Sequence, residues 1–159
     1  MNRLFTSRVL ALAAAVAAIS IAVAAGADPV VGTWQLNLSK STFTAGPAVK
    51  SQTRTYSQSG QRITLVLKSV GADGKESTTR TTYQLDGKDY PVSGAPDYDS
   101  LTVKQVDANS AEAVLKKGGK TVGTTTRTVS KDGKTLTAKT KLTAATGQTS
   151  ESTLLFDKQ

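Results

Sequence analysis

Cysteine and histidine are absent from the 159 residues, and methionine and tryptophan occur once each. Without cysteine there is no disulfide framework, so a fold placed in an oxidising space must be held by its core alone. Without histidine the commonest general base and metal ligand is missing. Zinc and copper centres, and Ser-His or Cys-His catalysis, are excluded with it. Aromatic residues make up only 5% of the chain, which is few for lining a large pocket.

There is one long hydrophobic run, and it is N-terminal. Arg3 and Arg8 precede an almost unbroken Ala/Val/Ile/Leu stretch from Val9 to Ala25, followed by the small residues Ala25-Gly26-Ala27. This order of basic, apolar and small residues is that of a secretory leader, with cleavage expected after Ala27. The run is short for a membrane span, which takes about 20 residues, and with no cysteine the product cannot be anchored by acylation of that residue. The expected product is Asp28 to Gln159, 132 residues, released into the periplasm or outside the cell without stable membrane insertion. That length suits one domain with one core.

The formal charge is +8, of which the two leader arginines supply two, leaving +6 on the remaining domain. Basic charge can point to nucleic acid, an anionic surface or an acidic ligand. Here the lysines are dispersed, only Lys116 and Lys117 are adjacent, and no arginine and aromatic cluster forms a nucleic-acid platform. The distribution predicts a solvated basic surface that discourages strand pairing between molecules, and no nucleic-acid partner.

Every mature segment longer than a turn alternates with period two. Trp34, Leu36 and Leu38 interleave with Thr33, Gln35 and Asn37; Ile63, Leu65 and Leu67 interleave with Thr64, Val66 and Lys68. Threonine fills much of the rest and favours extended backbone. Asp-Gly-Lys recurs at Asp73, Asp86 and Asp132, and Gly118-Gly119-Lys120 is a near copy; such pairs supply the positive φ of tight hairpins. The pattern predicts an all-β domain of ten strands near 31–38, 50–58, 61–70, 76–86, 88–93, 98–106, 110–117, 120–130, 134–143 and 148–158. An antiparallel up-and-down meander of that many strands hides its edges by closing into a barrel.

Val31-Gly32-Thr33-Trp34-Gln35-Leu36 at the head of such a meander resembles the calycin superfamily of lipocalins and fatty-acid-binding proteins. The set VGTWQLNLSKSTF, LDGKDYPVSG, VSKDGKTLT and FDKQ is similar to a family of small exported bacterial proteins described as lipocalin-like, over the whole of Asp28 to Gln159. The resemblance implies that Gly32 and Trp34 close one end of the barrel and that Arg127 packs over the indole. Two departures limit what transfers. Ser39 to Val49 is too short and broken for a helical lid, and the last strand, Ser150 to Lys158, carries no arginine for a carboxylate clamp.

The candidates for binding are therefore large side chains with polar tips: Arg54, Tyr56, Arg80, Tyr83 and Phe43. Arg54 and Tyr56 share one strand face, whereas Arg80 and Tyr83 lie on opposite faces. Facing inward, the first pair would hold a small amphipathic anion by charge and stacking; in the alternative the tyrosines fill the core and the arginines extend outward. The stretch DGKDYPVSGAPDYDS, Asp86 to Ser100, reads as a connector, with Tyr90 and Tyr98 as further candidates at a barrel mouth. Its Asp97-x-Asp99 lacks the spaced oxygens of a calcium loop, and no metal or cofactor is expected. Two functions remain open: a monomeric exported carrier of a small hydrophobic or amphipathic molecule, or an envelope protein with a filled barrel. No catalytic constellation is present, so an enzyme is not expected.

Overall fold

The computed structural model describes residues 26–44 and 49–159; the leader run up to Ala25 lies outside the described residues. The chain forms ten strands: β1 (Gly32–Phe43), β2 (Val49–Ser59), β3 (Arg62–Gly71), β4 (Glu76–Tyr83), β5 (Asp86–Ser93), β6 (Ser100–Gln105), β7 (Ser110–Lys117), β8 (Lys120–Val129), β9 (Thr135–Thr143) and β10 (Thr149–Lys158). Each pairs antiparallel with its sequence neighbour, and β1 pairs with β10 to close the barrel. The expected up-and-down meander is thus the observed fold.

Turn chemistry accounts for much of the connectivity. At all three Asp-Gly-Lys sites the aspartate carboxylate accepts the amide of the lysine two residues on, at 3.0 to 3.1 Å, which is the Asx turn these residues favour. Two sites are hairpin turns. The third departs from expectation: β4 ends at Tyr83, the reversal falls at Gln84-Leu85, and Asp86-Gly87-Lys88 opens β5 against Lys104 of β6 with a bulge before Asp89. Strand β1 also runs past the expected 38, to Phe43. Between Asn37 and Thr42 its register against β10 slips, and the protruding residues leave Leu38 44% exposed instead of continuing the inward row of Trp34 and Leu36. The bulge is held by Ser41, whose hydroxyl donates to the Asn37 carbonyl at 2.7 Å and accepts the Leu155 amide at 3.0 Å.

The inward row is packed solid at the end where β1 begins. Val30, Trp34, Ile63, Val129, Leu136 and Phe156 are fully buried there, each large side chain contributing about 1.5–3 kcal/mol. The Trp34 indole nitrogen donates to the Val30 carbonyl at 2.7 Å, so the chain entering β1 folds under the ring it precedes. Gly32 has φ 137, and a Cβ there would come within 2.9 Å of the Lys158 side chain. That side chain crosses to place its amine 5.0 Å from the centre of the Trp34 ring. The glycine of the Gly-x-Trp motif thus makes room for a cation over the tryptophan.

Candidate functional site

Above this plug the barrel is not filled. A cavity of about 390 Å³ occupies the other half, walled by aliphatic side chains that include Leu67, Leu101, Val103, Leu115, Leu142 and Leu154. Polar tips rim it at Gln52, Ser69, Ser77, Thr79, Thr125, Thr140 and Ser152. The segment Gly94 to Tyr98 between β5 and β6 forms part of its lining. The stretch read from sequence as a connector is therefore also the cap of the cavity. It is tied down: the Asp99 carboxylate accepts the Gly118 amide at 3.0 Å, and Lys117 donates to the Pro96 carbonyl at 3.2 Å. Gly94, at φ 80, lies where any Cβ would run into the Thr78 carbonyl.

Arg54 and Tyr56 both face this cavity, as their shared parity on β2 requires. The Arg54 guanidinium stacks 4.6 Å from the centre of the Phe156 ring and its Nε donates to Gln52 at 3.1 Å. No carboxylate lies within ion-pairing distance of it among the described residues. Tyr98, on the cap, is held above its ordinary pKa by burial, with the Arg54 charge opposing.

Tyr83 also lines the cavity, and burial, reinforced by the neighbouring Tyr56 phenol, holds its own phenol neutral far into alkaline conditions. Beside it lies Arg127, 8% exposed. Its two terminal nitrogens donate to the two Asp28 carboxylate oxygens at 3.1 and 2.7 Å. Burial opposes its charge, but the bond to Asp28 and the nearby phenols outweigh that and raise its pKa. The residues paired with Arg127 on β7 and β9 are both alanine, Ala111 and Ala138, which leaves space for the guanidinium to cross the lumen. Arg127 does not cover Trp34 as the resemblance implied; Lys158 does, and the Arg127 guanidinium sits 6.0 Å from the Tyr56 ring. The reason is Asp28, whose carboxylate is the nearest partner that compensates a buried cation.

The structure thus sorts the sequence candidates. Arg54, Tyr56, Tyr83 and Tyr98 meet in the lumen together with Arg127; Arg80 and Tyr90 border a groove on the outer wall; Phe43 is 38% exposed and belongs to neither. Gln52, Asp28 and Lys158 carry roles that the sequence reading missed. Asp28 alone had a signal, being the first residue after the expected cleavage point.

No protein-family model and no curated protein matches the sequence. Solved structures do match in fold. EF1p2_mFAP2b bound to DFHBI aligns at TM-score 0.51 and 10% identity, covering 82% of this chain and 94% of that one. The redesigned beta barrel mFAP1 bound to DFHBI aligns at TM-score 0.45 and 14% identity over 82% and 95%, and the siderocalin Ex-FABP at 0.38 and 13% over 82% and 74%. At such identities the likeness is one of fold alone, a closed antiparallel up-and-down β-barrel.

Proposed function

We propose that the protein is an exported lipocalin-like carrier that holds one small amphipathic anion in the lumen. One observation carries this reading: Arg54 presents a guanidinium without a carboxylate partner, among the described residues, to an aliphatic cavity of about 390 Å³. Arg54 is half-buried, and an acidic head group would pair with its charge while the aliphatic wall takes the tail. The cavity size and capped mouth suit a small molecule, and EF1p2_mFAP2b, a barrel of similar fold, binds DFHBI. The basic net charge favours anion capture, and the leader-like N-terminal run supports export to the periplasm or outside the cell, where the carrier would act as a monomer without cofactor.

The test is native mass spectrometry of the protein isolated from its own envelope. The expected result is a chain starting at Asp28 with a stoichiometric added mass, released on unfolding as an acidic amphipath. A bare chain that also fails to take up any member of a panel of fatty, aromatic and isoprenoid acids would overturn the carrier reading in favour of a structural envelope protein.

A further inference from the structure

The barrel wall has a weak seam. Most neighbouring strands pair over four to ten residues, but β4 and β5 pair only at Arg80 with Ser93 and Thr81 with Val92. Pro91 is the local cause, since it has no amide hydrogen to give the ladder. Its carbonyl is taken instead by the Thr81 hydroxyl at 2.9 Å. Below these two pairs the strands diverge, leaving Thr82-Tyr83 and Tyr90-Pro91 without partners across the gap.

The gap forms a groove of about 540 Å³ on the outer wall. Its apolar surface comes from Val66, Pro91 and Val92, with the rings of Tyr83 and Tyr90. Tyr83 is shared with the lumen, so the groove and the cavity are separated by that side chain. Two guanidiniums border the groove, Arg62 on β3 and Arg80 on β4, and neither has a carboxylate within ion-pairing distance among the described residues. Arg80 faces Val66 across the ladder, four residues from Arg62, so their backbone positions lie roughly 13 Å apart along the sheet at about 3.3 Å per residue. The acids flanking Tyr90 are occupied: Asp86 accepts the Tyr90 hydroxyl at 3.0 Å and faces Lys88 at 3.7 Å, and Asp89 pairs with Lys116 at 2.6 Å.

We infer that this groove is a second binding site, distinct from the lumen, for a small amphipathic anion. The acidic group pairs with Arg62 or Arg80, and the body lies on Val66, Pro91, Val92 and the Tyr90 ring. Charge decides the class: unpaired cations beside an apolar floor select an anion with an apolar body over a neutral lipid or a cation. The volume decides the size, that of a small molecule and not of a protein segment.

The probe that tests it is 1-anilinonaphthalene-8-sulfonate, titrated by fluorescence into the parent protein, Arg54→Gln and the double variant Arg62→Gln/Arg80→Gln. Arg62 and Arg80 are exposed, so the double variant keeps its fold, and circular dichroism verifies that. The expected result is two classes of site in the parent. The double variant weakens one class at least tenfold and leaves the other unchanged, and Arg54→Gln does the converse. Amide shifts at Arg80 to Tyr83 and Tyr90 to Ser93 should follow the outer class alone. Superimposable titrations of the parent and double variant, or amide shifts confined to lumen residues, overturn the second site. A single class of site, lost in the double variant and unaffected by Arg54→Gln, overturns the carrier reading and leaves the groove standing.

Discussion

Asp28 and Arg127 form the most consequential pair of single residues. Both side chains are nearly buried, at 10% and 9% exposed, and the carboxylate also caps the chain by accepting the Val30 amide at 2.9 Å. Removing one member of a buried pair leaves the other uncompensated, at a cost of about 3–5 kcal/mol. Asp28→Asn should therefore lower the urea midpoint by that equivalent, while Asp73→Asn, at an exposed turn pair, should move it little. Tyr83 gives a pH signature. Its phenol is held well above the ordinary range by burial, whereas the unfolded phenol ionises near pH 10, about the reference value. The contribution is complete below about pH 10 and is lost as pH rises further, because only the unfolded chain then releases the proton. Unfolding midpoints measured from pH 8 to 11 should fall, and Tyr83→Phe should flatten part of that fall. Trp34 is fully buried within the plug and does not line the cavity, so a ligand in the lumen should change its emission far less than it changes the fluorescence of a bound probe.

The elements differ in how firmly they are tied. The β2–β3 ladder runs over ten pairs and β9–β10 over nine, but the β4–β5 seam has two. Hydrogen exchange should be correspondingly faster at Thr82, Tyr83 and Tyr90 than at Leu65 or Leu154. Equal protection on both sides of the seam would show the wall to be continuous. The cap between β5 and β6 is the other special element. It depends on Gly94, whose positive φ and contact with the Thr78 backbone exclude a side chain. Gly94→Ala should cost about 1–3 kcal/mol and, by displacing Tyr98, weaken uptake of an anionic probe in the lumen. Unchanged uptake with lowered stability would separate the cap from the binding role.

For the molecule as a whole, closure is the decisive feature. Strand β10 holds both β1 and β9, and carries Phe156 into the plug and Leu154 into the cavity wall. A barrel without it exposes two edges and an aliphatic lumen. Deleting Thr149 to Gln159 should abolish the folded state, read as loss of the cooperative unfolding transition, although no turn and none of the lumen arginines is touched. The packing also explains how so few aromatic residues suffice. Trp34 and Phe156 are fully buried in the solid half, and Tyr56 and Tyr83 line the cavity together with smaller aliphatic side chains.

Much of this was legible in the sequence because it depends on near neighbours. Period-two alternation and Asp-Gly turns located ten strands to within a few residues, except where the Asn37 to Thr42 bulge and the late-placed Asp86-Gly87 altered them. The same parity put Arg54 with Tyr56 and set Arg80 against Tyr83. What parity cannot give is which inward residue meets which across the lumen, since that depends on the shear of the closed sheet. Asp28 reaches Arg127 over 99 positions, Lys158 and not Arg127 covers Trp34, and the cap comes to line the cavity only once the strands are in register. The sequence by itself determined the strands, their order and the closed barrel, which follow from local geometry and the need to bury one face of every strand. The tertiary structure alone decided where the lumen is full, where it is hollow, and which arginines are left without a carboxylate among the described residues, because those are properties of packing between residues remote in the chain.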